Sequence, residues 1–398
     1  MNSFALLHDF PVLAQTLSAA AKSNAAIFKG WHVVCVQHLH SSIVPLVDAL
    51  LLGGAGVADV TVVGKSYSTR PRAVEGLHER GVRVVDPQRM TDPRHSYEIE
   101  LNRQVTTVLA ELESTSVMER LLVLDEGAVA TKALTRFPEL ARRSHVVEQT
   151  TRGARWVDQA EVAFPVVDVA RSDAKASLEG PLVARSMIEG LDTVLNELGI
   201  TATRAGIVGY GRMGARLAGE LVRRFDVLVH EKEPGYAESA RTGGFALRDF
   251  DTLVREADIL VGCTGGQILD SSFLTVPTHP ILLVNGASSD IEFGLWEHRR
   301  AEAIVYGDDP ARPWANHYTI GSLPGQVTLA AGGFPVNFYG TGEPISAQRF
   351  QLTRSLMLAG AVQSMELTRP GLVPLDPDRQ AAVRTAYAAA MAEPEAAR

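Results

Sequence analysis

The residues best suited to chemistry in this chain fall into a few short clusters. The most structured is Gly209-Tyr210-Gly211-Arg212-Met213-Gly214. It follows the apolar run Ala205–Val208 and leads into a helical pattern over Ala215–Phe225, after which Val227-Leu228-Val229 reads as the next strand. Glycines at these three positions permit a tight turn, close backbone approach to a pyrophosphate, and close helix–strand packing. The helix start after Gly211 would turn unpaired N–H groups and a positive dipole end toward phosphates. Glu231 lies 17 residues beyond Gly214 and stands where a carboxylate would bind a ribose diol. A carboxylate there repels a 2′-phosphate, so the pattern points to NAD rather than NADP, with Lys232 softening the preference. Thr264-Gly265 follows the strand Ile259–Gly262 and is a candidate second wall of the same groove, although taken alone it reads as a turn.

Three other clusters carry titratable groups. His38 and His40 follow the strand Trp31–Val36, and Asp125-Glu126-Gly127 follows the strand Arg120–Leu124. Loops after the C-terminal ends of parallel strands are where α/β proteins bind ligands. The two histidines fit either a substrate site or a solvated loop. With no Cys or carboxylate at zinc-like spacing, no metal site is expected. Lys175 and Glu179 are four residues apart, and a plain helical ion pair explains that spacing best.

These clusters need a scaffold to hold them. Further strands are expected over Val57–Val63, Val82–Val85, Arg143–Gln149, Gly206–Gly209, Val227–His230, Ile281–Asn285 and Ala303–Tyr306. Helices are expected over Ile43–Leu52, from Pro181 to near Gly199, over Ile345–Glu366 and over Asp378–Met391, with a fraying end, and 166–181 reads as a connector. Strands alternating with helices imply parallel sheets covered by helices. The expected fold class is α/β with two doubly wound domains.

Composition narrows the class. With 398 residues the chain is long enough for two or three domains. Acidic residues outnumber Lys plus Arg by 46 to 38, and a net charge of −8 argues against nucleic acid as a partner. No apolar run reaches the roughly 20 residues of a membrane helix. The start MNSFALLHDFPVLAQTL lacks the basic region and apolar core of a secretory leader. Cys35 and Cys263 sit in separate apolar runs and read as reduced core residues, which suits a cytoplasmic location.

Taken in order, the clusters resemble the adenosylhomocysteinase (S-adenosylhomocysteine hydrolase) family. The matching segments are Val36–His40, Leu124–Gly127, Val147–Gly153, Ser172–Glu179, Gly209–Gly214 with Glu231, Val284–Gly286 and Gly332–Pro335. The resemblance spans nearly the whole chain, and the order of the motifs is more specific than any single one. It implies an NAD-binding Rossmann domain (183–333) inserted into a discontinuous substrate-binding domain (1–182 and 334–366), with a C-terminal helical tail (367–398). It implies a cleft that closes over NAD, a homo-oligomer (dimer or tetramer), a nucleoside-like substrate and a place in one-carbon metabolism.

In the family's chemistry, NAD takes hydride from the 3′-carbon of the substrate ribose. The ketone acidifies the 4′-proton, the 5′-thiolate leaves, water adds and the hydride returns. The resemblance makes Lys175 the candidate for deprotonating the 3′-hydroxyl, with its pKa lowered by burial beside the nicotinamide. It makes Glu179 that lysine's partner, and His38 and Glu126 the proton-transfer pair at the 5′ side. It places Gln149 where the family has a ribose-binding glutamate, with Thr150 beside it. Asn285 joins Thr264 and Gly265 among the cofactor contacts, and His40 and Phe334 stand in substrate-binding positions. The departures are as informative. His40 and Ser42 replace a Thr and a Glu that hold the adenine, Gly180 replaces an Asn, and Ser288 and Phe334 each replace a histidine. The family's C-terminal Lys/Tyr segment, which reaches the NAD of a neighbouring protomer, has no match. An altered base pocket implies an altered substrate. Three functions remain open: a nucleoside-type thioether enzyme, a sugar or nucleoside oxidoreductase or epimerase without C–S cleavage, and a non-catalytic NAD-binding regulator.

Overall fold

A computed structural model describes residues 7–22, 26–115, 120–322 and 324–392. The expected fraying of the last residues, and the first six residues of the chain, lie outside them. The chain forms two compact units, each α/β. Unit 1 comprises Met1–Pro87, Leu101–Glu179 and Ile345–Arg398, and unit 2 comprises Gln88–Glu100 and Gly180–Pro344.

Unit 1 is built on a seven-stranded sheet. Its strands are β1 (Trp31–Gln37), β2 (Val60–Gly64), β3 (Arg83–Val85), β4 (Arg120–Asp125), β5 (Ser144–Glu148), β6 (Pro165–Asp168) and, late in the chain, β15 (Gly371–Pro374). The order is β15-β6-β5-β4-β1-β2-β3 and every pairing is parallel. The central strands β1, β2, β4 and β5 are rich in Val and Leu and buried along nearly their whole length, as a sheet covered on both faces requires. Helix Ala347–Glu366 runs across this sheet so closely that Gly360 leaves no room for a side chain. An added Cβ there would lie 2.9 Å from Val147 and 3.0 Å from Val169.

The expected connector at 166–181 is corrected by the structure. Its first part is β6, which pairs with β5 on one side and β15 on the other. Its end, Lys175–Glu179, is a single π-helical turn. A four-residue strand that opens on proline offers too little periodicity to be read from sequence. The expected strand at 57–63 begins instead with a 3₁₀ turn, Val57–Asp59.

Unit 2 carries β7 (Arg204–Val208), β8 (Asp226–His230), β9 (Ala246–Leu247), β10 (Ile259–Gly262), β11 (Ile281–Asn285), β12 (Ile304–Tyr306), β13 (His317–Ile320) and β14 (Val327–Leu329). Their order is β12-β13-β14-β11-β10-β7-β8-β9. The core from β14 to β9 is parallel, whereas β12–β13 and β13–β14 are antiparallel. The sheet is therefore mixed, not purely parallel. Strands β9, β13 and β14, each of two to four residues, are not among those expected from sequence. Gln88–Glu100 belongs to this unit because Asp290 accepts from Ser96 Oγ at 3.0 Å and from the Tyr97 N–H at 2.9 Å. Among the described residues, no helix is long and apolar enough to cross a membrane. Cys35 is buried in β1 and Cys263 is half-buried after β10, and both are free thiols.

Candidate functional site

In unit 1 the strand order reverses between β1 and β4, and the loops leaving these strands part in opposite directions. Such a switch point, at the C-terminal ends of the strands, is where doubly wound sheets hold ligands. His38 leaves β1 and Glu126 leaves β4, so the two residues face each other across the switch point. His38 Nε2 lies 2.6 Å from Glu126 Oε1. Lys65, just past β2, puts Nζ 3.0 Å from the same oxygen. Glu126 Oε2 accepts from Gln149 Nε2 at 2.7 Å. His38 Nδ1 lies 2.5 Å from Ser68 Oγ. All of these side chains are buried or nearly so.

The electrostatics of this set follow from one shared oxygen. Burial pushes His38 down to about 4, outweighing the attraction of Glu126. Burial alone would raise Glu126, but His38 and Lys65 together hold its carboxyl well below the usual range. Burial thus leaves the imidazole neutral, and the nearby Lys65 ammonium adds to that effect. A neutral ring that donates Nε2–H to Glu126 leaves Nδ1 an acceptor, which then takes the single Ser68 hydroxyl proton in place of the Lys65 carbonyl, 2.9 Å from that hydroxyl. Both ring nitrogens thus have partners within unit 1, and proton exchange with a ligand would displace one of them.

Gln149 and Thr150 do different things. With the amide NH₂ turned to Glu126, Gln149 Oε1 is a buried acceptor with no protein partner among the described residues. Thr150 caps the helix Thr151–Gln159: its hydroxyl accepts from the Gly153 N–H at 3.0 Å and donates to Glu148 at 2.7 Å. Its hydroxyl therefore serves loop architecture. Glu148 also accepts N–H donors from Gly127, Ala128 and Thr150 at 2.7–3.1 Å. Burial, and next the Asp125 carboxylate, push Glu148 up to about 7 against those donors.

Lys175 and Glu179 open and close the π turn at the end of unit 1. Lys175 Nζ donates to both oxygens of Glu179, at 2.7 and 2.5 Å, with the side chains 15% and 10% exposed. Glu179 Oε2 also accepts from Thr353 Oγ1 at 2.6 Å. The plain ion pair is there, but it is largely buried, held by a third residue, and set in a π turn, a feature frequent at functional sites. Sequence reasoning missed both Thr353 and Arg354. Arg354 is fully buried, its Nε donating to Ser42 Oγ at 3.1 Å and its Nη2 to the His38 carbonyl at 3.2 Å. Its Nη1 donates to Gln37. An arginine inside the apolar run Leu352–Ala361 was the available signal. Ser42 thus anchors the arginine that fixes the β1 loop. His40 is buried beside His38, with ring centroids 5.8 Å apart.

In unit 2 the switch point lies between β7 and β10, and the glycine turn leaves β7 there. Gly209 has φ +93°, a left-handed value that a side chain would strain. A Cβ on Gly214 would lie 1.9 Å from the Gly209 carbonyl oxygen, so only glycine lets the helix Arg212–Leu221 start so close to the turn. Gly211 is different: a Cβ there meets nothing within 4 Å. The protein itself does not need glycine at that position, which is what a reserved approach path for a pyrophosphate would look like. Arg212 is exposed on the first turn, and Met213 is half-buried against the core behind it.

Glu231 stands just past β8, with one oxygen accepting from the Tyr210 N–H at 2.5 Å and the other from the Glu233 N–H at 2.8 Å. The carboxylate is thereby pinned at the mouth of the glycine turn. The loop after β10 is held from below by buried Glu292, which accepts from Thr264 Oγ1 at 2.9 Å and from the Gly265 N–H. Asn285 is fully buried and its amide bridges the carbonyls of Ser289 and Gly333 at 2.7 and 2.8 Å. Its side chain organises loops and does not reach outward. Phe334 is also a packing residue, 1% exposed, edge-on to Tyr97 and Trp314, with the Arg299 guanidinium 5.0 Å from its ring centre.

No protein-family model matches the chain. Uncharacterized proteins of Mycobacterium tuberculosis, from strains CDC 1551 and H37Rv, are 27% identical over 336 residues, which is 83% of this chain and 63% of theirs. The chain thus spans less than two thirds of the length of these curated relatives. An adenosylhomocysteinase of Thermoplasma acidophilum is 25% identical over 236 residues, 56% of each chain. Among solved structures, a dipicolinate synthase chain from Bacillus halodurans is 12% identical with a TM-score of 0.32, over 66% of this chain and 83% of that one.

Proposed function

We propose that the chain is an NAD-dependent enzyme of the adenosylhomocysteinase type, acting on a nucleoside-type thioether with an altered base. The observation that carries this reading is the buried His38–Glu126 pair at the β1/β4 switch point of unit 1. It is matched in that unit by the enclosed Lys175–Glu179 pair. Simple ion pairs need no such enclosure, whereas proton transfer does. The partial match to the Thermoplasma enzyme supports the same reading.

The residues that would hold NAD are Gly209, Gly211 and Gly214 at the pyrophosphate, Glu231 at the ribose diol, and Thr264 with Gly265 on the second loop. Bound there, NAD would supply a hydride acceptor and donor. The chain's own residues supply the proton movements. Lys175 Nζ, hydrogen-bonded to both Glu179 oxygens, can pass a proton to that carboxylate and take one from a sugar hydroxyl. Thr353 keeps Glu179 turned toward the lysine throughout. His38, neutral at physiological pH, can accept a proton once a ligand displaces one of its partners. Gln149 Oε1, a buried acceptor awaiting a donor, suits a sugar hydroxyl.

A second reading, NAD-linked oxidation of a sugar or nucleoside without C–S cleavage, is favoured by Phe334. It replaces a histidine of the family, and its buried ring can carry no proton. Incubation with adenosylhomocysteine and a nucleoside panel, recording NADH absorbance and free thiol together, tests both. The thioether reading expects both signals, and the second expects absorbance without thiol. Bound NAD that never changes absorbance would favour a non-catalytic regulator. Lys175→Met should abolish reduction while NAD stays bound, and undiminished single-turnover reduction in that variant would remove Lys175 from the mechanism.

A further inference from the structure

Lys65 lies outside the residues singled out from sequence, yet it is 3% exposed and ends at the central carboxylate of unit 1. A buried ammonium is costly unless it is paired. Glu126 Oε1 is its partner, and the same oxygen receives His38 Nε2. Glu126 Oε2 is taken by Gln149. The carboxylate thus joins three side chains that come from the ends of β1, β2 and β5.

We propose that Lys65 is a positioning residue for His38: its ammonium holds Glu126 in place as the ionised acceptor of the Nε2 proton and, sharing that oxygen with the ring, disfavours a second proton on it. The inference deepens the reading of His38 as a proton-transfer group and rests on it for its functional meaning. The order Ser68–His38–Glu126 has the outline of a hydrolase triad, because Ser68 Oγ is 2.5 Å from Nδ1. Ser68 is fully buried, however, and its hydroxyl also lies 2.9 Å from the Lys65 carbonyl, so no substrate carbonyl can reach it. The serine orients the ring and does not attack.

Among the described residues, several groups face His38. Lys65, Ser68 and the edge of Tyr67, 5.6 Å away, come from the segment after β2. Glu126 comes from the segment after β4. His40 shares its loop at 5.8 Å, and Arg354, on the helix Ala347–Glu366, donates to its carbonyl. Lys65 and Arg354 are the cations of this set, and Lys65 is the one that shares the carboxylate oxygen with the ring. Removing its charge should let the imidazole compete for the proton.

The test is titration of the His38 ring by carbon and nitrogen NMR in the full chain. It needs no substrate, so its outcome is separate from whether any thioether is cleaved. In the parent protein the midpoint is expected near 4. In Lys65→Met it should rise by about one pH unit or more, and in Lys65→Arg it should stay within about half a unit of the parent. A Lys65→Met midpoint equal to the parent's would overturn the proposal. Should the methionine variant fail to fold, the parent protein still decides. The Glu126 carboxyl carbon should stay ionised below the ordinary glutamate range, and titration at or above that range would overturn the proposal as well.

Discussion

Gly211 and Gly214 sit three residues apart in one turn, yet the structure assigns them opposite sensitivities. An alanine at Gly214 puts Cβ 1.9 Å from the Gly209 carbonyl oxygen. Ordinary contact needs more than about 3 Å, so the helix start must retreat by about an ångström from a rigid backbone atom. Overpacking of this kind costs about 1–3 kcal/mol, and the backbone nature of the obstacle places Gly214→Ala at the upper end. An alanine at Gly211 meets nothing within 4 Å, and its φ of −68° suits any residue. Its stability change should stay within about 0.5 kcal/mol. If Gly211 is kept open for a pyrophosphate, the same methyl should weaken NAD binding by about tenfold or more, equivalent to about 1.4 kcal/mol. Urea unfolding and NAD titration by calorimetry on both variants give the four numbers. Full NAD affinity in Gly211→Ala would refute the assignment of that space to the cofactor. Equal destabilisation by the two variants would refute the steric reasoning itself.

Other predictions concern single groups. Glu231→Ala should lower NAD affinity about tenfold and narrow the preference for NAD over NADP; a parent protein that binds both equally would contradict the role given to this carboxylate. Asp290→Asn leaves the fully buried Arg299 guanidinium without its 2.9 Å counter-ion, and should cost about 3–5 kcal/mol in denaturant unfolding; a loss below about 1 kcal/mol would show that the pair is dispensable. Glu148→Gln probes pH. The folded Glu148 sits near 7, above the 4.5 of an ordinary glutamate, so between those values the native state binds more protons than the unfolded one. Its contribution is therefore fully present below 4.5 and lost as pH rises toward 7, by up to about 3 kcal/mol. His38 is common to parent and variant and cancels in the comparison. The parent's stability relative to Glu148→Gln should fall across that window, and a pH-independent difference would count against the raised value.

Most of the scaffold could be read from sequence where strands were long and apolar. β1, β4, β10 and β11 were anticipated to within a residue because each is a Val- or Leu-rich run bounded by polar or glycine signals. The strands that escaped are short and sit toward sheet edges. β9 has two residues and β14 three, while β15 starts on a glycine. A period of two cannot be recognised in such lengths. β12 was anticipated, but its antiparallel partner β13 was not, and with β13 and β14 the mixed character of the second sheet escaped.

The site was legible wherever chemistry follows a strand end. His38, Glu126 and the glycine turn were found because residues just past parallel strands face the ligand side of a doubly wound sheet. Lys65 also follows a strand end, after Gly64, and was passed over. Its side chain has meaning only through Glu126, which lies 61 residues away in sequence. The two meet because β4 and β2 flank β1 on opposite sides, an ordering that no local pattern encodes. Thr353 and Glu179 show the same limit over 174 residues, since the helix that carries Thr353 returns to unit 1 only after the Gly180–Pro344 segment of unit 2 has intervened. Residue type therefore located the groups able to hold or move a proton. Strand order located the groups that set their charge, and only the folded sheet supplies that order.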